Sequence, residues 1–174
     1  MNMDKALIEI DGEACISRVI NALNKAGRVP ITISISNLDL IDSYSQVIDS
    51  SIEIEWSVDK EKFAGPIESI IENLEKFAGN EDFIQLATVD VPWVTEEFFI
   101  ELRNSIKSGD DLIMPTDGKN IHPLLALIRP KNILRKVSDG NNRPLRIQFS
   151  ELKHSLYFEN KAILKNINYP HDLE

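Results

Sequence analysis

Residues 83–90 read Phe83-Ile84-Gln85-Leu86-Ala87-Thr88-Val89-Asp90. The run up to Val89 is nearly continuous in apolar character, the pattern of a strand buried on both faces of a parallel sheet rather than one that alternates between core and water. The carboxylate of Asp90 follows it directly. In open α/β sheets, ligands sit beyond the carboxyl ends of the strands. This stretch therefore sets the expected architecture and marks the first residue to inspect for chemistry.

Working outward, strand and helix patterns alternate. Upstream, Ile16, Val19, Ile20 and Leu23 recur at three and four and predict a helix over 13–26, with Gly27 as its C-cap. Residues 29–35 are β-branched and predict a strand with Pro30 at its start. A weak short helix is expected over 39–48 and a short strand over 52–56. Pro66 opens a helix carrying Ile67, Ile70, Ile71 and Leu74, with Gly79 after it. Downstream, Thr95 caps a helix to about Lys107, with Glu96 and Glu97 well placed in its first turn. Residues 112–114 form a strand, Asp117-Gly118 a turn, and 123–128 another strand. Pro130 begins a helix to about Val137. A short helix near 143–151, a strand over 155–158, and a loop or helix after Asn168 complete the chain. The expected fold is α/β, with a mostly parallel mixed sheet between helical layers, in a single domain over 1–174.

Composition narrows the partners. The chain has 174 residues, 43% hydrophobic and 27% charged, with a net charge of −9. That balance argues against nucleic acid and acidic membranes as partners, since both need a basic footprint. A phosphate ligand would have to be held by a local lysine, by backbone N–H groups or by a metal. The single cysteine, Cys15, permits no internal disulfide and is expected to pack in the core on the buried face of the first helix. No signal peptide is recognised, and no apolar run approaches the roughly 20 residues needed to span a bilayer. The expectation is a cytoplasmic protein.

Four places could carry chemistry. Asp90 is a hard oxygen donor suited to Mg²⁺, which takes one or two carboxylates together with substrate phosphates; alternatively, its side chain caps the next turn. Lys5 carries a compact charge suited to phosphate oxygens, or is an exposed lysine. Residues 59–66, from Asp59 to Pro66, form a polar loop entering a helix N-terminus, where an anion or ribose can be received, or an ordinary solvated loop. His122-Pro123 follows a turn; a structural hydrogen bond is the simpler reading of a lone histidine. No Cys/His cluster has zinc spacing, and no Ser/His/Asp arrangement is evident. Trp56 and Trp93 are read as packing residues, with base stacking as the alternative.

Taken in order, several segments resemble the molybdenum cofactor guanylyltransferases, a branch of the nucleotidyltransferases with a Rossmann-like, three-layer fold. They are Asp4-Lys5-Ala6-Leu7-Ile8 through Gly12, then Asp59 with Gly65-Pro66, then Val89-Asp90-Val91-Pro92, then His122-Pro123-Leu124-Leu125-Ala126-Leu127, and finally Asn166-Ile167-Asn168-Tyr169-Pro170-His171-Asp172-Leu173. The resemblance implies a Mg²⁺-dependent guanylyltransferase. GTP and the molybdenum-bound molybdopterin cofactor would give the guanine dinucleotide cofactor and pyrophosphate. It further implies that Lys5, Asp59 and Asp90 contact GTP, that Asp90 is catalytic and binds Mg²⁺, and that Asn168 shapes the pterin side. A molybdoenzyme or another protein of cofactor biosynthesis would be the partner.

The chain also departs from the pattern. The family places a first strand and a glycine-rich loop ahead of the Asp-Lys pair, and the sequence here offers only Met1-Asn2-Met3. The expectation is therefore a domain lacking its first strand, with two strand edges exposed. Glu68-Ser69 stands where a small residue and glycine are usual, and Ser34 and Ser36 where asparagine is frequent. Two other readings stay open: a nucleotidyltransferase using CTP or another acceptor phosphate, and a non-catalytic relative acting as a binding module.

Overall fold

The computed structural model describes residues 4–59, 66–77, 82–137, 143–168 and 172. The chain divides into two compact units: Met1–Val58 with Thr88–Glu101 and Glu159–Glu174, and Asp59–Ala87 with Leu102–Phe158.

The first unit begins with a 3-10 turn, Lys5–Leu7, followed by strands β1 (Glu9–Ile10) and β2 (Glu13–Ala14). These two strands form an antiparallel hairpin in which Ile10 faces Glu13. Its central residues, Asp11 and Gly12, have φ of 53° and 80°. A two-residue hairpin loop of type I′ needs φ > 0 at both positions, and Asp-Gly is a favoured pair for it. Helix α1 (Cys15–Lys25) buries Ile16, Val19, Ile20 and Leu23, as the spacing predicts. Its end is set by Gly27 at φ 68°. Arg28 N–H donates to Leu23 O at 2.9 Å and Gly27 N–H to Asn24 O at 3.0 Å, the paired bonds of a Schellman cap. Cys15 is fully buried beside Ile8 and Ile167, and burial pushes its thiol pKa up. It is a packing residue, as expected.

Strands β3 (Ile31–Ile35) and β4 (Ile54–Val58) run parallel over five residue pairs, Ile31 facing Ile54 and Ile35 facing Val58. Helix α2 (Leu40–Ser45) lies between them in sequence. β4 begins two residues later than its β-branched sequence suggests.

The second unit carries helix α3 (Pro66–Phe77) and a four-stranded sheet in the order β5-β7-β6-β8. Its strands are β5 (Ile84–Gln85), β6 (Leu112–Thr116), β7 (Leu127–Ile128) and β8 (His154–Phe158). β6 and β8 are parallel over five pairs; β7 pairs antiparallel with β5 and with β6, two residue pairs each. The four-stranded sheet is thus mixed, and the two longest ladders, β3 with β4 and β6 with β8, are parallel. Helix α4 (Glu96–Ser105), whose residues up to Glu101 belong to the first unit, is capped by Thr95, whose Oγ1 accepts from Phe98 N–H at 3.2 Å. Helices α5 (Pro130–Val137) and α6 (Leu145–Ser150) follow. Leu74, Leu112, Met114, Ala126, Ile128, Ile133, Leu145 and Phe149 form one buried cluster that joins α3, α5 and α6 to this sheet. Each fully buried side chain of this size contributes about 1.5–3 kcal/mol.

Two segments depart from the sequence reading. The expected strand over 83–89 narrows to Ile84–Gln85, half-buried, because its partner β7 is itself only two residues long. Leu86 N–H still donates to Ala126 O at 2.9 Å, after which the chain turns at Thr88. The expected strand over 123–128 starts as a 3-10 turn at Pro123–Leu125. Proline lacks a ladder N–H and suits the first turn of a helix. Among the described residues, β3 pairs only with β4 and β5 only with β7, so each has an edge without a strand partner.

Candidate active site

Asp4 caps the first 3-10 turn: its Oδ1 accepts from Ala6 N–H at 3.0 Å. The cap fixes Ala6 inward, buried, and leaves Lys5 partly in solvent. Tyr44 of α2 donates its hydroxyl to the other oxygen of Asp4 at 2.7 Å. Burial raises the Tyr44 pKa and the neighbouring carboxylate raises it further, so this hydroxyl keeps its proton and keeps donating.

Asp90 lies in the turn after Thr88 rather than at the end of a long strand. Its N–H donates to Thr88 Oγ1 at 3.3 Å, and Val91 N–H donates to Thr88 O at 3.4 Å. From the far end of the chain, Ile167 N–H donates to Asp90 O at 2.8 Å. Three contacts therefore fix the backbone around this carboxylate. Arg18 of α1 adds a fourth support, donating Nε to Pro92 O at 3.2 Å and Nη1 to Ile10 O at 3.3 Å. It also pairs with Glu13 at 3.6 Å.

These supports bring two of the sequence-predicted residues together. Lys5 Nζ lies 3.2 Å from Asp90 Oδ1, with the side chains 34% and 39% exposed. A cation on the capped 3-10 turn and a hard carboxylate oxygen on the turn after Thr88, both reachable from water, form a small polar centre. Asn168 follows Ile167 directly, is exposed, and has its N–H tied to Asp172 Oδ2 at 2.8 Å. Asp59 is half-buried immediately after β4, at the carboxyl end of a parallel strand, and belongs to the second unit. The rest of the expected loop, 60–65, lies outside the described residues, as do 169–171 and 173 of the terminal motif.

The donor set bears on metal choice. No group of three or more His, Cys, Asp or Glu residues that could hold a metal ion occurs among the described residues. Asp90 supplies a single carboxylate, one of whose oxygens, Oδ1, faces Lys5. That fits Mg²⁺, which keeps waters and draws the remaining ligands from substrate phosphates, and does not fit a closed zinc site.

His122 is half-buried, its N–H donating to Pro115 O at 2.9 Å. Burial lowers its pKa, opposed by the charge of Asp117. Its buried Nε2 has no hydrogen-bond partner among the described residues. Both tryptophans are packed: Trp56 against Tyr44, ring centroids 6.4 Å apart, and Trp93 under the Lys165 ammonium at 5.3 Å. Tyr44 and Arg18 were not legible as supports. They act across 40 and 74 residues of sequence, and no local pattern announces such contacts.

Residues 1–151 match the MobA-like NTP transferase domain. The chain belongs to that family. The molybdenum cofactor guanylyltransferase of Vibrio atlanticus is 26% identical over 135 residues, covering 77% of this chain and 63% of that relative. The chain thus spans less than two thirds of the relative's length. Among solved structures, the molybdopterin-guanine dinucleotide biosynthesis protein A of Archaeoglobus fulgidus superimposes with a TM-score of 0.69 at 23% identity, covering 99% of this chain and 88% of that one. A 4-diphosphocytidyl-2C-methyl-D-erythritol synthase from Anaerococcus prevotii reaches a TM-score of 0.75 at 13% identity, covering 97% and 89%. The fold is therefore the Rossmann-like α/β fold shared by this family and other nucleotidyltransferases. No helix among the described residues is long and apolar enough to cross a membrane.

Proposed function

We propose that this chain transfers GMP from GTP to the molybdenum-bound molybdopterin cofactor, with residues 1–174 acting as one catalytic domain. The observation that carries the proposal is the Lys5–Asp90 pair at 3.2 Å on a capped turn. The resemblance assigns Lys5 to the nucleotide phosphates and Asp90 to GTP and Mg²⁺ binding. The matched relative named a guanylyltransferase supports the choice of GTP.

The terminal phosphate oxygen of the pterin cofactor attacks the α-phosphorus of GTP. A new P–O bond forms there, the bond from the α-phosphorus to the bridging oxygen breaks, and pyrophosphate leaves with that electron pair. The protein need only position the two phosphates and stabilise charge. Lys5 takes phosphate oxygens as a compact cation. Asp90 would hold Mg²⁺ through its carboxylate, and the metal would supply neutralising charge near the leaving group. Asp59, at the end of β4, contacts the nucleotide, and Asn168 borders the pterin side, next to the backbone bond that anchors Asp90.

Calorimetric titration of GTP, with and without Mg²⁺, tests the site. The expected result is Mg²⁺-dependent binding that Asp90→Ala abolishes, with turnover lost in the same variant. A well-folded sample that binds no GTP would instead identify a non-catalytic relative. Competition by CTP and ATP decides the base, and CTP displacing GTP at equal concentration would replace GTP with CTP as substrate.

A further inference from the structure

β8 lies at one side of the second unit's sheet, with β6 as its one strand partner among the described residues. Edge strands present a row of N–H and C=O groups, and proteins commonly blunt them with lysine, proline, a bulge or an inward charge. The five residues His154-Ser155-Leu156-Tyr157-Phe158 contain no lysine, proline, glycine or acidic residue. Leu156 and Phe158 share one face, since side chains alternate along a strand. They are 40% and 72% exposed, whereas Met114 and Thr116, their partners on β6, are 0% and 3% exposed. An apolar stripe therefore reaches the open edge and stops there.

We propose that this edge docks a second copy of the same chain, the two β8 strands running antiparallel about a two-fold axis at Leu156. The charges flanking the strand select both occupant and register. With the axis at Leu156, Leu156 faces its own copy, His154 faces Phe158, and Ser155 faces Tyr157. Lys153, just before the strand, then faces Glu159, just after it, at both ends of the ladder. Moving the axis by one residue sets Lys153 against Tyr157 or against Lys161 and removes the opposite charge. Opposite charges directly across a pair of strands favour pairing, and like charges oppose it. A two-fold interface requires this kind of self-complementarity. The ladder is short, well below the roughly 800 Å² per partner of a standard interface, so the dimer is weak and concentration-dependent.

Sedimentation equilibrium of the full chain, at salt near 0.15 M so that a Debye length of about 8 Å screens the repulsion between copies, reads the result. The mass is expected to climb from 19.7 kDa toward twice that value over about 5 to 500 µM protein. Leu156→Lys should abolish the rise. Glu159→Lys should weaken association about tenfold, and adding Lys153→Glu to it should restore the wild-type curve. Melting curves establish that each variant is folded; Phe158→Ser serves in place of Leu156→Lys if the latter unfolds. A wild type that stays monomeric throughout, or a dimer indifferent to Leu156→Lys, overturns the proposal. A dimer broken by Leu156→Lys that the charge swap does not rescue overturns the register, and with it the argument for a second copy.

Discussion

Tyr44 reaches the Lys5 turn through two hydrogen bonds that Asp4 accepts, from the Tyr44 hydroxyl at 2.7 Å and from Ala6 N–H at 3.0 Å. It touches no proposed ligand, and acts by holding the cap that presents Lys5. Replacing it with phenylalanine leaves the ring and its contact with Trp56, and removes one charge-assisted bond. The expected cost is about 1.5–3 kcal/mol of stability, from the range for hydrogen bonds to charged groups, discounted by the exposure of Asp4. Because the turn would then sample other positions, GTP affinity should fall several-fold in Tyr44→Phe, while turnover at saturating GTP changes little. Equal GTP affinity in the variant and the wild type would show that Asp4 caps the turn adequately alone.

Elements are tied together in the second unit by Asp111, buried at the start of β6. It accepts from Lys136 at 2.5 Å and from Asn132 at 2.8 Å, both on α5, and from Lys153 N–H at 3.1 Å, just before β8. Burial raises its pKa, but the bonds from Lys136 and Lys153, with the Lys136 charge and Asn132, outweigh that and hold it below the usual carboxylate range. A depressed folded-state pKa means that the ionised form stabilises the fold. The contribution is present above the unfolded value of about 3.9 and is lost as pH falls below it, through the folded value. Asp111→Ala should cost about 2–3 kcal/mol near neutrality, less than a fully buried pair because Lys136 is 36% exposed. Melting temperatures followed from pH 6 to 3 should converge for the two proteins at the acid end, and a constant gap would remove the carboxylate from the explanation. Asp111 gives no sign in sequence, since its partners lie 21, 25 and 42 residues away. Helix α1 was legible because its period of three and four and its Gly27 stop are both local. The Asp11-Gly12 hairpin carried an equally local signal that the helix pattern beside it obscured. Strand 83–89 misled because its apolar run is not buried here, its residues being half-buried or exposed, and because ladder length is set by the partner, a two-residue β7. Asp90 was singled out by its place after the apolar run and Lys5 by its compact charge, and the resemblance gave both a role; their meeting across 85 residues is a product of the fold.

At the scale of the whole molecule, a net charge of −9 sets a field that opposes a polyphosphate ligand. Enzymes that steer their substrates lose association rate as salt rises, because screening removes the attraction. Here the long-range field has the opposite sign, and the pair at Lys5 and Asp90 is locally neutral before ligand arrives. On the proposed function, attraction would begin only within a few ångströms, once Lys5 exchanged Asp90 for a phosphate oxygen, and Mg²⁺ bound to the nucleotide would reduce the repulsion further. Raising salt from about 10 mM to about 150 mM shortens the Debye length from roughly 30 Å to about 8 Å and should screen the repulsion before it weakens the contact. The association rate of a fluorescent GTP analogue with Mg²⁺, measured by stopped flow, is therefore expected to hold or rise severalfold over that range, while the dissociation rate also rises as the Lys5–phosphate contact is screened. A steep fall in association rate would mean that a local positive potential already dominates the approach, and that the net charge of the chain is carried on faces the nucleotide never meets.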